Sequence, residues 1–180
     1  MSDRKGDWIQ TYTGKKFWPL DPRPEDVDIE DIAHALSMTC RFGGHCVKFY
    51  SVAEHSALVS AYVPPEYALE GLLHDATEAY LVDLSRPIKQ FMPAFIQAEK
   101  HLRKAIAERF GLEPEEPPIV CEIDRRILTD ERNQNMVPSP EKWSTDAEPL
   151  CAILEYLSPS DAQKFFLETF ARVCYKLPTA

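Results

Sequence analysis

Residues 65–82 read PEYALEGLLHDATEAYLV, and the fold turns on how this stretch winds. At about 100° per residue, Leu69, Leu72, Leu73, Ala76 and Tyr80 fall on one side, while Ala68, Gly71, Leu81 and Val82 spread over the rest. A helix that is apolar nearly all round belongs inside a domain, where an unpaired carboxylate costs free energy or takes up a proton. This one nevertheless carries His74, Asp75 and Glu78. On the same wheel Glu78 lies about 40° from His74 and Asp75 about 100° from it, so the three side chains can point into one pocket. Such convergence in an apolar setting points to a bound cation. The competing explanation is a structural ion pair between His74 and Asp75.

A divalent ion that takes imidazole nitrogen together with carboxylate oxygen needs further ligands. The five histidines are His34, His45, His55, His74 and His101. His55 has the best surroundings, because Ser51-Val52-Ala53-Glu54 reads as a capping box that starts a helix. On that helix Val52, His55, Val59 and Tyr62 share an inward face. Residues 119–133 (IVCEIDRRILTDERN) offer another helix, with Ile119, Val120, Ile123 and Ile127 as its buried stripe and Asp124 at the margin. The alternatives are a core histidine bonded to backbone at His55 and a surface salt bridge between Asp124 and Arg125 or Arg126. His34 and His101 read as structural. His45, after Arg41-Phe42-Gly43-Gly44, suits either substrate contact or turn-building.

Working outward, the punctuation predicts an all-α bundle with a short N-terminal β-hairpin, as a single domain over residues 1–180. Residues 1–22 form an arm and 24–176 the bundle. Helices are expected over 24–38, 51–62, 65–82, 93–110, 118–133 and 158–175, with a shorter one near 146–157. Gly111 supplies a C-terminal stop, and Ser158-Pro159 pairs a cap with proline at the first helical position. The 15 prolines mark boundaries, and neither a repeat nor a low-complexity tract occurs. The opening WIQTYTGKKFW (residues 8–18) is rich in β-branched and aromatic residues around a glycine and reads as a hairpin. Trp18-Pro19-Leu20 is a rigid aromatic-proline-aliphatic segment that could wall a base pocket by stacking.

These residues together resemble the HD-domain metal-dependent phosphohydrolases, whose pattern is a histidine, an adjacent His-Asp pair and a distant aspartate. The matching pieces are SVAEHS with His55, LLHDATEAYLVDLSRPIK with His74 and Asp75, and CEIDRRIL with Asp124. The match spans roughly residues 41–132. Within the superfamily the chain is most similar to the nucleotide branch, which includes bacterial 5'-deoxynucleotidases and phage dATP triphosphohydrolases. Glu78, Asp83, Pro87 and Lys89 stand where that branch has a glutamate, an aspartate and a proline-lysine segment. The resemblance implies an HD-domain helical bundle and one divalent metal ion (Co²⁺, Mn²⁺, Zn²⁺ or Mg²⁺) held by His55, His74, Asp75 and Asp124. It also implies base recognition by Trp18 and Leu20. The deoxynucleotidases have arginine-tryptophan before their first histidine; here Arg41-Phe42 keeps the arginine and departs at its neighbour.

Composition sets the outer limits. The chain has 180 residues, 44% of them apolar, ordinary for one globular domain. A net charge of −9 argues against a nucleic-acid polymer as partner, since that contact needs a basic face. Neither a membrane-length apolar run nor a signal-peptide core is present, so a cytoplasmic protein with no membrane partner is expected. Cys40, Cys46, Cys121, Cys151 and Cys174 are odd in number and lack a Cys-x-x-Cys spacing, which suggests free thiols.

The expected reaction is hydrolysis of the 5' phosphoester of a deoxynucleotide. The first expectation is triphosphate release from dATP or a related deoxynucleoside triphosphate; the alternative is a 5'-deoxynucleotidase acting on monophosphates. Glu78 would accept or donate the proton, Arg41 and Lys89 would balance phosphate charge, and Asp83 would hydrogen-bond the sugar. A homo-oligomer is expected. Guanosine polyphosphate hydrolysis fits less well, because that branch usually follows His-Asp with paired acidic residues, and here Ala-Thr-Glu follows Asp75. A non-catalytic, metal-stapled nucleotide-binding module is the reading from a different class, and Glu78 weighs against it.

Overall fold

Phe17 ties the N-terminal ribbon to the helices. The computed structural model, which describes residues 3–175, opens with an antiparallel pair, β1 (Ile9–Gln10) and β2 (Lys16–Phe17), with Ile9 opposite Phe17. Side chains alternate faces along a strand, so Lys16 is exposed while Phe17 is fully buried, its ring stacked 3.9 Å from that of Tyr80. Thr13 fastens the turn by donating its N–H and hydroxyl to Asp31. The expected hairpin is present. Residues 1–2 and 176–180, at the ends of the expected arm and bundle, lie outside the described residues.

The remainder is mostly helical. α1 (Ile29–Met38) starts later than residue 24, because the Asp28 side chain accepts the Glu30 N–H as an N-cap, leaving Pro24–Asp26 as a separate 3-10 turn. α2 (Val52–Tyr62) begins at Ser51, whose hydroxyl accepts the Glu54 N–H at 3.1 Å. Only that half of the capping box forms. The Glu54 carboxylate turns away and accepts the N–H groups of Glu155, Tyr156 and Leu157 at 2.7, 3.0 and 2.8 Å.

α2 runs through the centre of the molecule. Val52, Ala53 and Ala57 join the main core with Leu36, Leu72, Leu73, Leu102, Ile106 and Phe166, while Val59 packs with Val120, Ile123 and Ile127 in a second core. Tyr62, expected inward, is 38% exposed because the helix ends there.

The helix expected without interruption over 65–82 is divided. A 3-10 turn (Pro65–Tyr67) leads into α3 (Ala68–Leu73), and α4 (Glu78–Leu81) follows after tight turns through residues 74–77. In those turns the N–H groups of Ala76 and Glu78 bond to carbonyls only three residues back, at 3.1 and 3.0 Å. The physical reason is at Gly71. An α-helix would give the Gly71 carbonyl to the Asp75 N–H, but the His74 ring takes it, Nδ1 to O at 2.8 Å. Gly71 also lets α3 lie against α2, since a Cβ there would come within 3.1 Å of the Ser60 Cα.

α5 (Arg86–Lys89), α6 (Pro93–Phe110), α7 (Pro118–Asn135) and α8 (Pro159–Tyr175) complete the set, and α6 stops at Gly111 with φ 70° as its sequence signals. The short helix expected near 146–157 does not form. Pro149 lies within it, Cys151 and Tyr156 have φ of 59° and 56°, and side chains replace helical acceptors: Thr129 for the Ala147 N–H, Asp130 for Leu150 and Cys151, Gln134 for Leu154, and Glu54 for residues 155–157. No helix among the described residues is long and apolar enough to cross a membrane.

Candidate metal centre

Two histidines meet where α2 crosses the end of α3. His55 is fully buried, and its Nδ1 donates to Glu131 Oε1 at 2.6 Å. His74 Nδ1 donates to the Gly71 carbonyl. This backing by a carboxylate or a carbonyl is the usual arrangement behind metal-ligating histidines, because it fixes the tautomer that leaves Nε2 bare. Those two Nε2 atoms stand 3.2 Å apart.

Two carboxylates close on the same point. Asp124 Oδ1 lies 3.2 Å from His55 Nε2 and 4.0 Å from His74 Nε2. Asp75 Oδ2 lies 3.3 Å from His74 Nε2 and 3.6 Å from His55 Nε2. With both Nδ1 hydrogens committed, only an added proton or a cation reconciles this set. Donors held at about 2.0–2.1 Å around one ion stand roughly 3.0–3.4 Å apart, and the shorter of these separations match that spacing. His55, His74 and Asp124 form a group that could hold a metal ion. Asp124, with 37% of its side chain exposed, marks the open side of the cluster.

Electrostatics agrees with the geometry. Burial opposes charge on His74, yet the Asp75 and Asp124 carboxylates outweigh it and hold the ring's pKa up at about 10. Burial would favour a neutral Asp75, but His74, His55 and Arg41 hold it well below the usual carboxylate range. Glu78, at the start of α4, goes the other way. Burial, reinforced by the Asp75 and Asp83 charges, pushes its carboxyl up to about 9, and its Oε2 is buried without a hydrogen-bond partner.

Arg41 reaches the cluster from the loop before α2. Its backbone N–H bonds to the Tyr50 carbonyl at 2.9 Å, next to a bridge between Cys40 and Ser51, and the loop turns back through Phe42, Gly43 and Gly44 at φ of 57°, 59° and 80°. Its Nη2 donates to Glu131 Oε2 at 2.8 Å, and its Nη1 lies 3.6 Å from Asp75 Oδ2. All five cysteines are free, with the Cys40 and Cys46 sulfurs 3.4 Å apart at the neck of this loop.

Other expected residues stand elsewhere. Lys89 Nζ pairs with Glu99 on α6 at 2.7 Å. Asp83 is exposed and reaches the centre only through its charge on Glu78. The Trp18 ring lies under the Arg4 guanidinium at 4.5 Å, and Leu20 is 51% exposed beside Gly6. His45 closes the loop turn, its N–H on the Phe42 carbonyl, which matches the turn-building role. His34 is held by Gln163 and stacked on Tyr12. Arg126 bonds Glu148 and faces Glu122, so it is not the partner of Asp124.

The residue that sequence reasoning missed is Glu131. It is fully buried and bridges His55 and Arg41. Its signal was available: the stripe Val120, Ile123, Ile127 continues four residues on to Glu131, an acid in an apolar row.

No family model matches the sequence. The chain is 36% identical to an uncharacterized protein of Rhodobacter capsulatus over 118 residues, 60% of each chain. Over 166 residues, 91% of this chain and 93% of the other, it is 37% identical to the uncharacterized protein YfdR of Escherichia coli strain K12. On that extent of similarity the chain belongs to the family of YfdR.

Proposed function

We propose that this protein is a metal-dependent phosphohydrolase of the HD-domain type, cleaving the 5' phosphoester of a deoxynucleotide. The observation that carries the reading is the meeting of His55 Nε2, His74 Nε2, Asp75 Oδ2 and Asp124 Oδ1, with both histidine Nδ1 atoms already hydrogen-bonded. A divalent cation held by these four would supply Lewis acidity to a phosphate oxygen and lower the pKa of a water. The protein's own groups do the rest. Glu78 favours its protonated form beside Asp75, which suits it to donate a proton to the departing ester oxygen. Arg41 presents a planar fork of donors to the phosphate. The buried histidines keep bulk water off one side, so substrate enters past the more open Asp124.

A deoxynucleoside triphosphate, dATP first, is the preferred substrate in this reading. Its support is the sequence resemblance at Trp18 and Leu20 for the base and Asp83 for the sugar, residues that make no hydrogen bond or ion pair with the cluster itself among the described residues. Single-phosphate release from a monophosphate is the second reading. It is favoured by Lys89, which is drawn to Glu99 and leaves Arg41 as the cation beside the cluster. Incubating the protein with Mn²⁺ or Co²⁺ and a panel of deoxynucleoside mono- and triphosphates, with products resolved by chromatography, tests both. Triphosphate release supports the first and inorganic phosphate from monophosphates the second. No turnover with any metal would overturn the enzymatic reading.

A further inference from the structure

Glu131 spends its two oxygens on two different partners. Oε1 accepts from His55 Nδ1 at 2.6 Å and Oε2 from Arg41 Nη2 at 2.8 Å, and the side chain is fully buried. A carboxylate engaged this way cannot turn to improve one bond without weakening the other. The partners come from separate parts of the chain: His55 from α2 and Arg41 from the loop before it, while Glu131 stands on α7. The backbone of that loop is tied down by the Arg41 N–H on the Tyr50 carbonyl and by Val47 and Lys48 on Asn135. The guanidinium at the far end of the side chain makes its hydrogen bond to Glu131, beside a 3.6 Å approach to Asp75, so Glu131 is the acceptor that orients it. Removing a charge from a fully buried network also leaves its partners unsatisfied, which explains why an acid stands in the apolar row of α7.

Resting on the metal-site reading above, we infer that Glu131 is a positioning residue that sets two functions with one carboxylate: it holds His55 with Nε2 toward the ion and it aims the Arg41 guanidinium at the anion. The ion site and the phosphate site are thereby coupled. Glu131 touches neither ion nor substrate; it acts through His55 and Arg41. A purely structural Glu131 would stiffen the contact of α7 with α2 and affect neither function separately.

The experiment titrates Co²⁺ into wild type, Glu131→Gln, Arg41→Ala and the double variant, following the visible absorption of the bound ion. Inorganic phosphate is then added to each loaded protein. The amide of Glu131→Gln keeps the shape but has one acceptor oxygen, so it can serve His55 or Arg41 and not both. Glu131→Gln is expected to weaken Co²⁺ binding by about tenfold to a hundredfold, the usual cost of losing a partner behind a metal ligand, and to change the absorption spectrum. It should also weaken phosphate binding. In the Arg41→Ala background Glu131→Gln should lower phosphate affinity no further while still weakening Co²⁺. Unchanged Co²⁺ affinity and spectrum in Glu131→Gln, or additive losses of phosphate affinity, would overturn the inference. If wild type itself takes up no Co²⁺, the metal-site reading fails first. Should Glu131→Gln not fold, the ¹⁵N spectrum of Zn²⁺-loaded wild type decides: a His55 ring protonated at Nδ1 supports the inference, and one protonated at Nε2 contradicts it.

Discussion

His55 and His74 face each other Nε2 to Nε2 at 3.2 Å, each with its Nδ1 hydrogen already donated, one to Glu131 and the other to the carbonyl of Gly71. Such a pair gains from either a shared proton or a metal ion, and the two compete. The Asp75 and Asp124 carboxylates outweigh burial to raise the His74 pKa to about 10, above the ordinary value of 6.5. The ring's contribution to metal-free stability is therefore fully present below about pH 6.5 and is lost as pH rises toward about 10. Metal binding must displace that proton, so Mn²⁺ affinity should climb with pH across this window. Titrations at about pH 6.5 and about pH 8.5 check it. A flat or falling affinity would count against ligation by His74.

Glu78 separates chemistry from binding. Its carboxyl is pushed up to about 9 and its Oε2 lacks a partner, so no hydrogen bond of that oxygen is lost in Glu78→Gln. The variant should fold, take up metal and bind nucleotide, with kcat reduced about a hundredfold or more, the scale of a lost general acid. Wild-type turnover in Glu78→Gln would move proton transfer to another group.

Glu54, beside His55 on α2, has a structural role. Its carboxylate alone accepts the N–H groups of Glu155, Tyr156 and Leu157, holding the segment that leads into α8. Hydrogen bonds to a charged group contribute about 1.5–3 kcal/mol each, and although Glu54 is buried, the backbone it holds at residues 155–157 is partly exposed, so water can replace part of that. Glu54→Ala is expected to cost about 3–6 kcal/mol in urea denaturation, the sum for two such bonds. A loss below about 1 kcal/mol would show that the segment docks through apolar contacts instead.

The parts of this protein legible in its sequence are those fixed by local periodicity. His74-Asp75 in an apolar run, Ser51 capping the helix that carries His55, and Asp124 at the edge of a stripe each depend on neighbours within two turns, and the structure brings these groups together. What was misread depends on distant partners. CAILEYL has helical spacing, yet its backbone is satisfied by Gln134 and by Glu54, about a hundred positions away. The division at residues 74–77 follows from a ring capturing a carbonyl, which a wheel with uniform winding does not represent. Glu131 continues the buried stripe of α7 by position but not by hydropathy, and its partners His55 and Arg41 lie 76 and 90 positions away, so the local pattern turns it inward without marking what it bonds. Lys89, expected to face phosphate, pairs instead with Glu99 on the next helix, a partner that only the packing of α5 on α6 supplies.

Equilibrium titration of metal-stripped protein with Mn²⁺, in wild type and in His74→Ala, tests the central claim most directly. The account predicts one ion per wild-type chain and loss of that ion in the variant, because the remaining His55, Asp75 and Asp124 lose the nitrogen that completes their set. Wild-type protein that binds no ion, or a variant that binds it with unchanged stoichiometry and affinity, would contradict the assignment of this cluster as a metal centre.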